Sequence, residues 1–161
     1  EEKYNNVFDY LNLDEFNNAL GDEYVLALRL HPKIKDFYSG DISTEGKYID
    51  CSDYSSEQEL LLISDILITD YSSIMIEFAL LNKPIIFFTY DFESYLTEER
   101  GFYFDFKSTV PGPVVYDSNQ LIDVIKSNSF DENKISEFVK TQFNEMDGQS
   151  SKRVVDYLMK L

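Results

Sequence analysis

Residues 63–88 constrain the fold more tightly than any other stretch of this chain. They run from an apolar segment through a polar turn into a second apolar segment of helix length. A Lys-Pro stop and a third apolar segment follow. Ile66-Leu67-Ile68-Thr69 is rich in β-branched residues and has strand length. Asp70-Tyr71-Ser72-Ser73 supplies helix-capping residue types, so a helix is expected to begin at about Ser72 or Ser73. Ile74, Met75, Ile76, Phe78, Ala79, Leu80 and Leu81 make that helix apolar on nearly every side, which predicts burial. Asn82 and Pro84 end it, and Pro84-Ile85-Ile86-Phe87-Phe88 returns to the sheet. Two buried strands joined through a helix form a parallel unit, and its polar turn falls at the carboxyl end of a strand. Open α/β sheets bind ligands at that edge.

The flanking sequence extends the pattern. Leu13–Leu20 reads as a short helix closed by Gly21, and Tyr24–Leu30 as a strand stopped by His31-Pro32. Alternation along that strand puts Val25, Ala27, Arg29 and His31 on one face and Leu26, Leu28 and Leu30 on the other. Lys33–Ile42 is expected as a helical turn or loop, with a short strand at Lys47–Cys51. Ser56-Glu57-Gln58-Glu59 has capping-box spacing and opens a helix through Ile63. Beyond Phe88, residues 89–103 read as a loop with a short helix, and Val110-Pro111-Gly112-Pro113 as a rigid turn. Asp117–Gln120 repeats the capping-box spacing ahead of a helix to Lys126. Glu132–Met146 is amphipathic, Asp147-Gly148 breaks it, and Val154, Val155, Leu158 and Met159 mark a last helix. Alternating strands and helices predict an α/β fold, a Rossmann-like parallel sheet sandwiched by helices.

Composition bounds the function. With 161 residues and 43% hydrophobic content, one domain with one core is expected. A net charge of −16 argues against a nucleic-acid partner and against direct docking on anionic lipid. The single cysteine, Cys51, fits a reducing compartment and is expected half-buried at a strand end. No stretch approaches membrane-spanning length and no signal peptide opens the chain, so no membrane insertion by this domain is expected.

The residues able to carry chemistry are few. At the Asp70-Tyr71-Ser72-Ser73 turn, helix-start amides, the positive end of the helix dipole and two hydroxyls make a natural phosphate cradle. The same residues also suit ordinary helix capping, and residue types alone do not choose between the two. No dinucleotide glycine fingerprint or P-loop is present. His31 is the only histidine, which removes Cys/His metal clusters and two-histidine metalloprotease sites, so no metal is expected. A Ser-His-Asp triad with Ser72 or Ser73 lacks the glycine-flanked elbow of α/β-hydrolases. His31 ends a strand at the ligand edge, where imidazole can donate to phosphate or work as an acid or base, although a lone histidine also serves structure. Arg29 and Arg100 could each pair with phosphate, although such residues more often serve at the surface or in salt bridges. Glu77, the one acid on the central helix, must be paired, exposed or functional.

Several of these motifs together resemble the CDP-glycerol glycerophosphotransferase family of teichoic acid synthesis. They are Leu30-His31-Pro32, Ile63 through Ser73, and Asn82-Lys83-Pro84-Ile85-Ile86-Phe87. Arg100 through Asp105, Pro111-Gly112-Pro113 and Asp147-Gly148 through Arg153 continue the match in the family's order, from about Asp14 to the C-terminus. The resemblance implies the C-terminal, donor-binding half of a GT-B architecture of two Rossmann-like halves. It implies CDP-glycerol, or a related CDP-alditol, as donor substrate, with no separate cofactor. The acceptor would be a polyol-phosphate polymer or a lipid-linked primer, with CMP released. By the family's pattern His31 faces the reacting phosphate, and Ser72 and Ser73 hold the donor phosphates with Asp70 in the same turn. Arg100, Asp147 and Gly148 would be further cleft residues, and Arg29, on the strand face of His31, is a candidate substrate contact beside them. The family's acceptor half, with its own histidine motif, has no counterpart here, and neither does the donor half's opening Pro-Thr-aromatic-Arg strand. The chain is therefore expected to be part of a larger two-domain transferase, inactive alone, whose parent is peripheral on the cytoplasmic face of the membrane. The donor half of a nucleotide-sugar glycosyltransferase or epimerase is the alternative with the same architecture, and an interaction module without ligand binding is a third reading.

Overall fold

The computed structural model describes residues 7–31, 48–99 and 101–160. Besides shorter helical turns, its helices and strands are, in chain order, α1 (Leu13–Leu20), β1 (Ala27–Leu28), β2 (Ile49–Asp50), α2 (Glu57–Ile63), β3 (Leu67–Thr69), α3 (Ile74–Ala79), β4 (Ile85–Phe88), β5 (Val114–Val115), α4 (Ser118–Ser127), α5 (Glu132–Gln142) and α6 (Ser150–Leu158). Every recorded strand pair is parallel. β1 pairs with β2, and β3, β4 and β5 pair in that order, with Leu67 opposite Ile85 and Phe87 opposite Val114. This is the Rossmann-like α/β arrangement anticipated from the alternation of elements.

β4 explains why the sheet is covered on both faces. All four of its residues are buried, and successive side chains point to opposite sides. Ile85 and Phe87 join Phe78, Ala79, Ile135, Phe138 and Val139 from α3 and α5. Ile86 and Phe88 join Phe16, Leu20, Leu121, Ile122 and Ile125 from α1 and α4. One continuous apolar strand therefore seals two cores. On the second face the Ser118 hydroxyl accepts from the Asn12 amide at 2.7 Å and donates to the Tyr10 carbonyl at 3.0 Å. That pair ties the start of α1 to the start of α4.

Several local expectations change. The Tyr24–Leu30 segment is strand at Ala27–Leu28, where the Leu26 and Leu28 carbonyls accept from the Ile49 and Cys51 amides, and its sides alternate as expected: Val25, Ala27, Arg29 and His31 are exposed and Leu26, Leu28 and Leu30 half-buried. Of the strand expected at Lys47–Cys51, Ile49–Asp50 is strand, while Lys47, like Lys33–Ile42, lies outside the described residues. The helix expected through Met146 stops at Gln142. The central helix is shorter and wetter than its composition implies. It spans only Ile74–Ala79, burying Phe78 and Ala79 while Glu77 and Leu80 face solvent. Exposure is thus how Glu77 resolves.

β5 emerges directly from the Pro-Gly-Pro turn, where no strand was expected. Gly112 is needed there because a Cβ would run into the Ile85 carbonyl, and this close approach delivers the Pro113 carbonyl to the Phe87 amide at 2.8 Å. The two capping boxes differ from each other. Asp117 accepts from the Gln120 amide at 2.9 Å while Gln120 reaches back to the Tyr116 amide at 3.0 Å. Ser56 accepts from the Glu59 amide at 3.2 Å, but the Glu59 carboxylate instead takes the Tyr54 hydroxyl at 2.6 Å.

Candidate functional site

The parallel sheet places the polar turns that follow β3, β4 and β5 at one edge. The turn after β3 is Asp70–Ser73. Asp70 Oδ1 accepts from the Ser72 amide at 3.0 Å, an Asx turn that lifts the chain off the strand. Ser73 occupies the cap position of α3, yet its backbone is in the helical region and its side chain makes no capping bond. Ser72 Oγ accepts from the Ile74 amide only at a long 3.4 Å. Both serine side chains are exposed. Ordinary capping therefore accounts poorly for this pair, which was the open question at the level of residue types. What remains is two hydroxyls presented to solvent at the carboxyl end of β3.

Tyr71 faces the other way, into the protein. Its ring stacks on Tyr95 at 3.8 Å between centroids and meets Phe106 edge-on at 5.5 Å. Its hydroxyl donates to Asp91 Oδ1 at 2.9 Å, joining the turn after β3 to the turn after β4. Burial, followed by the hydrogen bond and charge of Asp91, raises the Tyr71 phenol far above its ordinary range. The phenol therefore stands as the donor in this bond. Asp70 has solvent access by area, but neighbouring protein atoms crowd its carboxyl. That desolvation is the largest cause of its raised pKa, and the Asp91 charge adds to it against the opposing backbone hydrogen bonds. A cation completes this edge: Lys107 Nζ lies 4.5 Å over the Phe92 ring and 5.1 Å over Tyr116.

The other candidate residues fall into separate local networks. His31 is exposed, three residues past the end of β1. Arg29 is committed to its own neighbourhood: Nη1 donates to the carbonyls of Cys51 at 3.1 Å and Tyr54 at 2.7 Å, and Nε lies 3.7 Å from Glu57. It clamps the segment between β2 and α2. Cys51, within that segment, is half-buried and free, at the end of β2. Asp147 accepts from Arg153 Nη1 at 2.9 Å and from the Gln149 amide at 3.0 Å. The Arg153 bond, ahead of the amide, lowers its carboxyl pKa. Gly148 turns the chain with φ of 69°, so this pair shapes the entry to α6. Arg100 lies outside the described residues. Among the described residues no group of three or more His, Cys, Asp or Glu is arranged to hold a metal.

Tyr71, Asp91 and Lys107 were not singled out from the sequence. A tyrosine embedded in an otherwise polar turn was the available signal for the first. Asp91, one of several acids in residues 89–103, and Lys107, whose partners are 15 and 9 residues away, carried no comparable local pattern.

Comparison with known proteins places the chain in a family. The family described as CDP-glycerol:poly(glycerophosphate) glycerophosphotransferase matches residues 2–160. A teichoic acid poly(ribitol-phosphate) polymerase of Bacillus spizizenii is 39% identical over 152 residues, covering 94% of this chain and 24% of the relative. A teichoic acid poly(glycerol phosphate) polymerase of the same organism is 41% identical over 160 residues, covering 98% and 39%. This chain thus spans well under half the length of these curated relatives. Among solved structures, the wall teichoic acid polymerase TagF superposes with a TM-score of 0.75 at 35% identity over 92% of this chain and 37% of its own. A histidine variant of TagF soaked with CDPG superposes with a TM-score of 0.71 at 35% identity, with the same coverage. With the family pattern matched over nearly its whole length and a shared fold at this identity, the chain belongs to the CDP-glycerol glycerophosphotransferase family.

Proposed function

We propose that this chain, as a single unit, is the donor-binding part of a two-domain transferase that moves glycerol phosphate, or another alditol phosphate, from a CDP-alditol to a teichoic-acid-type polymer or primer. An acceptor hydroxyl attacks the alditol-bearing phosphorus, the bond from that phosphorus to the bridging oxygen breaks, and CMP leaves with the electron pair. Ser72 and Ser73 hold the donor phosphates through hydroxyls and helix-start amides. His31 serves the reacting phosphate as general acid or base, or as a donor that stabilises its charge. Asp70 shapes the turn, and Arg100 with the Asp147-Gly148 turn borders the cleft.

The observation that carries this reading is the pair of exposed serine hydroxyls at the carboxyl end of β3, without a capping bond at Ser73. The CDPG-soaked TagF variant supports the choice of donor, and relatives named for both glycerol and ribitol polymers support a donor stated as a CDP-alditol. The parent enzyme works peripherally at the cytoplasmic face of the membrane. Among the described residues no helix is long and apolar enough to cross a membrane. The role proposed for this chain is donor binding, so turnover of CDP-glycerol with a lipid-linked primer by this chain alone would contradict it.

Titration with CDP, CDP-glycerol, UDP and a UDP-sugar tests the assignment. Cytidine ligands are expected to bind, weakly, in preference to uridine ligands. A uridine preference rejects it in favour of a nucleotide-sugar glycosyltransferase or epimerase.

A further inference from the structure

We infer that Tyr71 and Asp91 are positioning residues for the donor: their hydrogen bond, spanning the ends of β3 and β4, fixes the angle at which Ser72 and Ser73 face the ligand. The inference rests on the donor-site assignment above and deepens it.

The geometry is specific. Tyr71 sits between the Asx acceptor Asp70 and the two exposed serines, so any rotation of the turn must rotate its ring as well. That ring cannot rotate freely. It is stacked on Tyr95 at 3.8 Å, tilted against Phe102 at 5.6 Å, and edge-on to Phe106 at 5.5 Å. Phe106 is itself buried and meets Phe87 of β4 at 89° and 5.6 Å. The turn is thereby referenced to the most buried strand of the sheet. Aromatic packing alone fixes the ring plane but permits sliding within it. The directional bond from the phenol to Asp91 Oδ1 at 2.9 Å removes that freedom. Asp91 is held in turn by its backbone, whose carbonyl accepts the Tyr95 amide at 2.9 Å.

The α3 helix is about a turn and a half long, its cap residue Ser73 makes no capping bond and Ser72 only a long one, so its own dipole and cap do little to orient the serines. The Tyr71–Asp91 latch supplies that order from the side. Phosphate groups demand donor positions defined to a fraction of an ångström, so a loosened turn loses affinity even while the fold stands.

Affinity for CDP-glycerol, measured well below the melting temperature, separates positioning from plain stabilisation. Tyr71→Phe keeps the packing and deletes the bond; it is expected to weaken binding roughly tenfold, the scale of one hydrogen bond to a charged group. Asp91→Ala should match it. Asp91→Asn retains an acceptor and should recover most of the loss. The double variant Tyr71→Phe with Asp91→Ala should be no worse than either single change, because both remove the same bond. Binding by Tyr71→Phe and Asp91→Ala at wild-type affinity, with lowered melting temperatures, overturns the positioning role while leaving the donor assignment intact. Absence of CDP-glycerol binding by the unaltered chain overturns both.

Discussion

The amide of Ser72 donates to Oδ1 of Asp70 at 3.0 Å, so the first amide of the candidate site is satisfied by the turn itself. Asp70 is thus a builder of the site, and its carboxylate is held in a crowded position beside Asp91. Because its pKa is raised on folding, protonation favours the folded state. That gain is fully present below the unfolded pKa and is lost as pH rises through the folded value. Asp70→Asn keeps an Oδ1 acceptor for the Ser72 amide and removes the charge. It should melt higher than the unaltered chain at pH 7, with the difference shrinking toward pH 4. An equal difference at both pH values would show that Asp70 does not titrate differently on folding.

Arg29 is expected to act on stability. Its guanidinium already serves the Cys51 and Tyr54 carbonyls, and Arg29→Met leaves both without that donor at a cost of about 1 kcal/mol. Thermal unfolding should register this with donor affinity unchanged. A large drop in affinity at constant melting temperature would return Arg29 to the binding site.

Lys83 has a comparable structural task at the opposite end of β4. Its Nζ donates to the Leu62 carbonyl at 2.9 Å and the Ser64 carbonyl at 2.7 Å, closing the C-terminus of α2 where helix carbonyls lack partners. Lys83→Met should destabilise the chain by about 1–2 kcal/mol in urea unfolding. Lys83→Arg should recover part of that. No change in the unfolding midpoint for Lys83→Met would contradict the role.

Gly112 tests the sheet. Even the methyl group of Gly112→Ala meets the Ile85 carbonyl, so the Pro-Gly-Pro turn must back away from β4. The expected cost is on the order of 1–3 kcal/mol, with loss of hydrogen-exchange protection at the Phe87 amide, which donates to Pro113. Retained protection at Phe87 would show that the close approach is not needed.

The fold was legible wherever burial was uniform or periodic. β4 announced itself through four apolar residues and a proline, and α4 through its capping box. β5 was not legible, because Val114-Val115 has no period to detect, and the Gly112 contact that creates it is long-range. The Tyr24–Leu30 pattern was right about facing and too generous about pairing, since alternation reports burial and not ladder bonds. At the site, the Asp70–Ser73 turn could be located from local chemistry. Its anchoring by Tyr71 and Asp91 spans 20 residues and exists only once β3 and β4 lie side by side. For Arg29 the sequence shows a charge but not the Cys51 and Tyr54 carbonyls that it serves.

The donor cradle stands or falls on the two serines. Because Ser73 makes no capping bond and Ser72 only a long one, replacing both with alanine should cost under about 0.5 kcal/mol of stability, the range of surface substitutions. The deciding measurement is the affinity of the doubly substituted chain, Ser72→Ala with Ser73→Ala, for CDP-glycerol beside the unaltered chain. The account predicts loss of binding at an essentially unchanged melting temperature. Binding that survives in the double variant contradicts it and places the donor phosphates elsewhere.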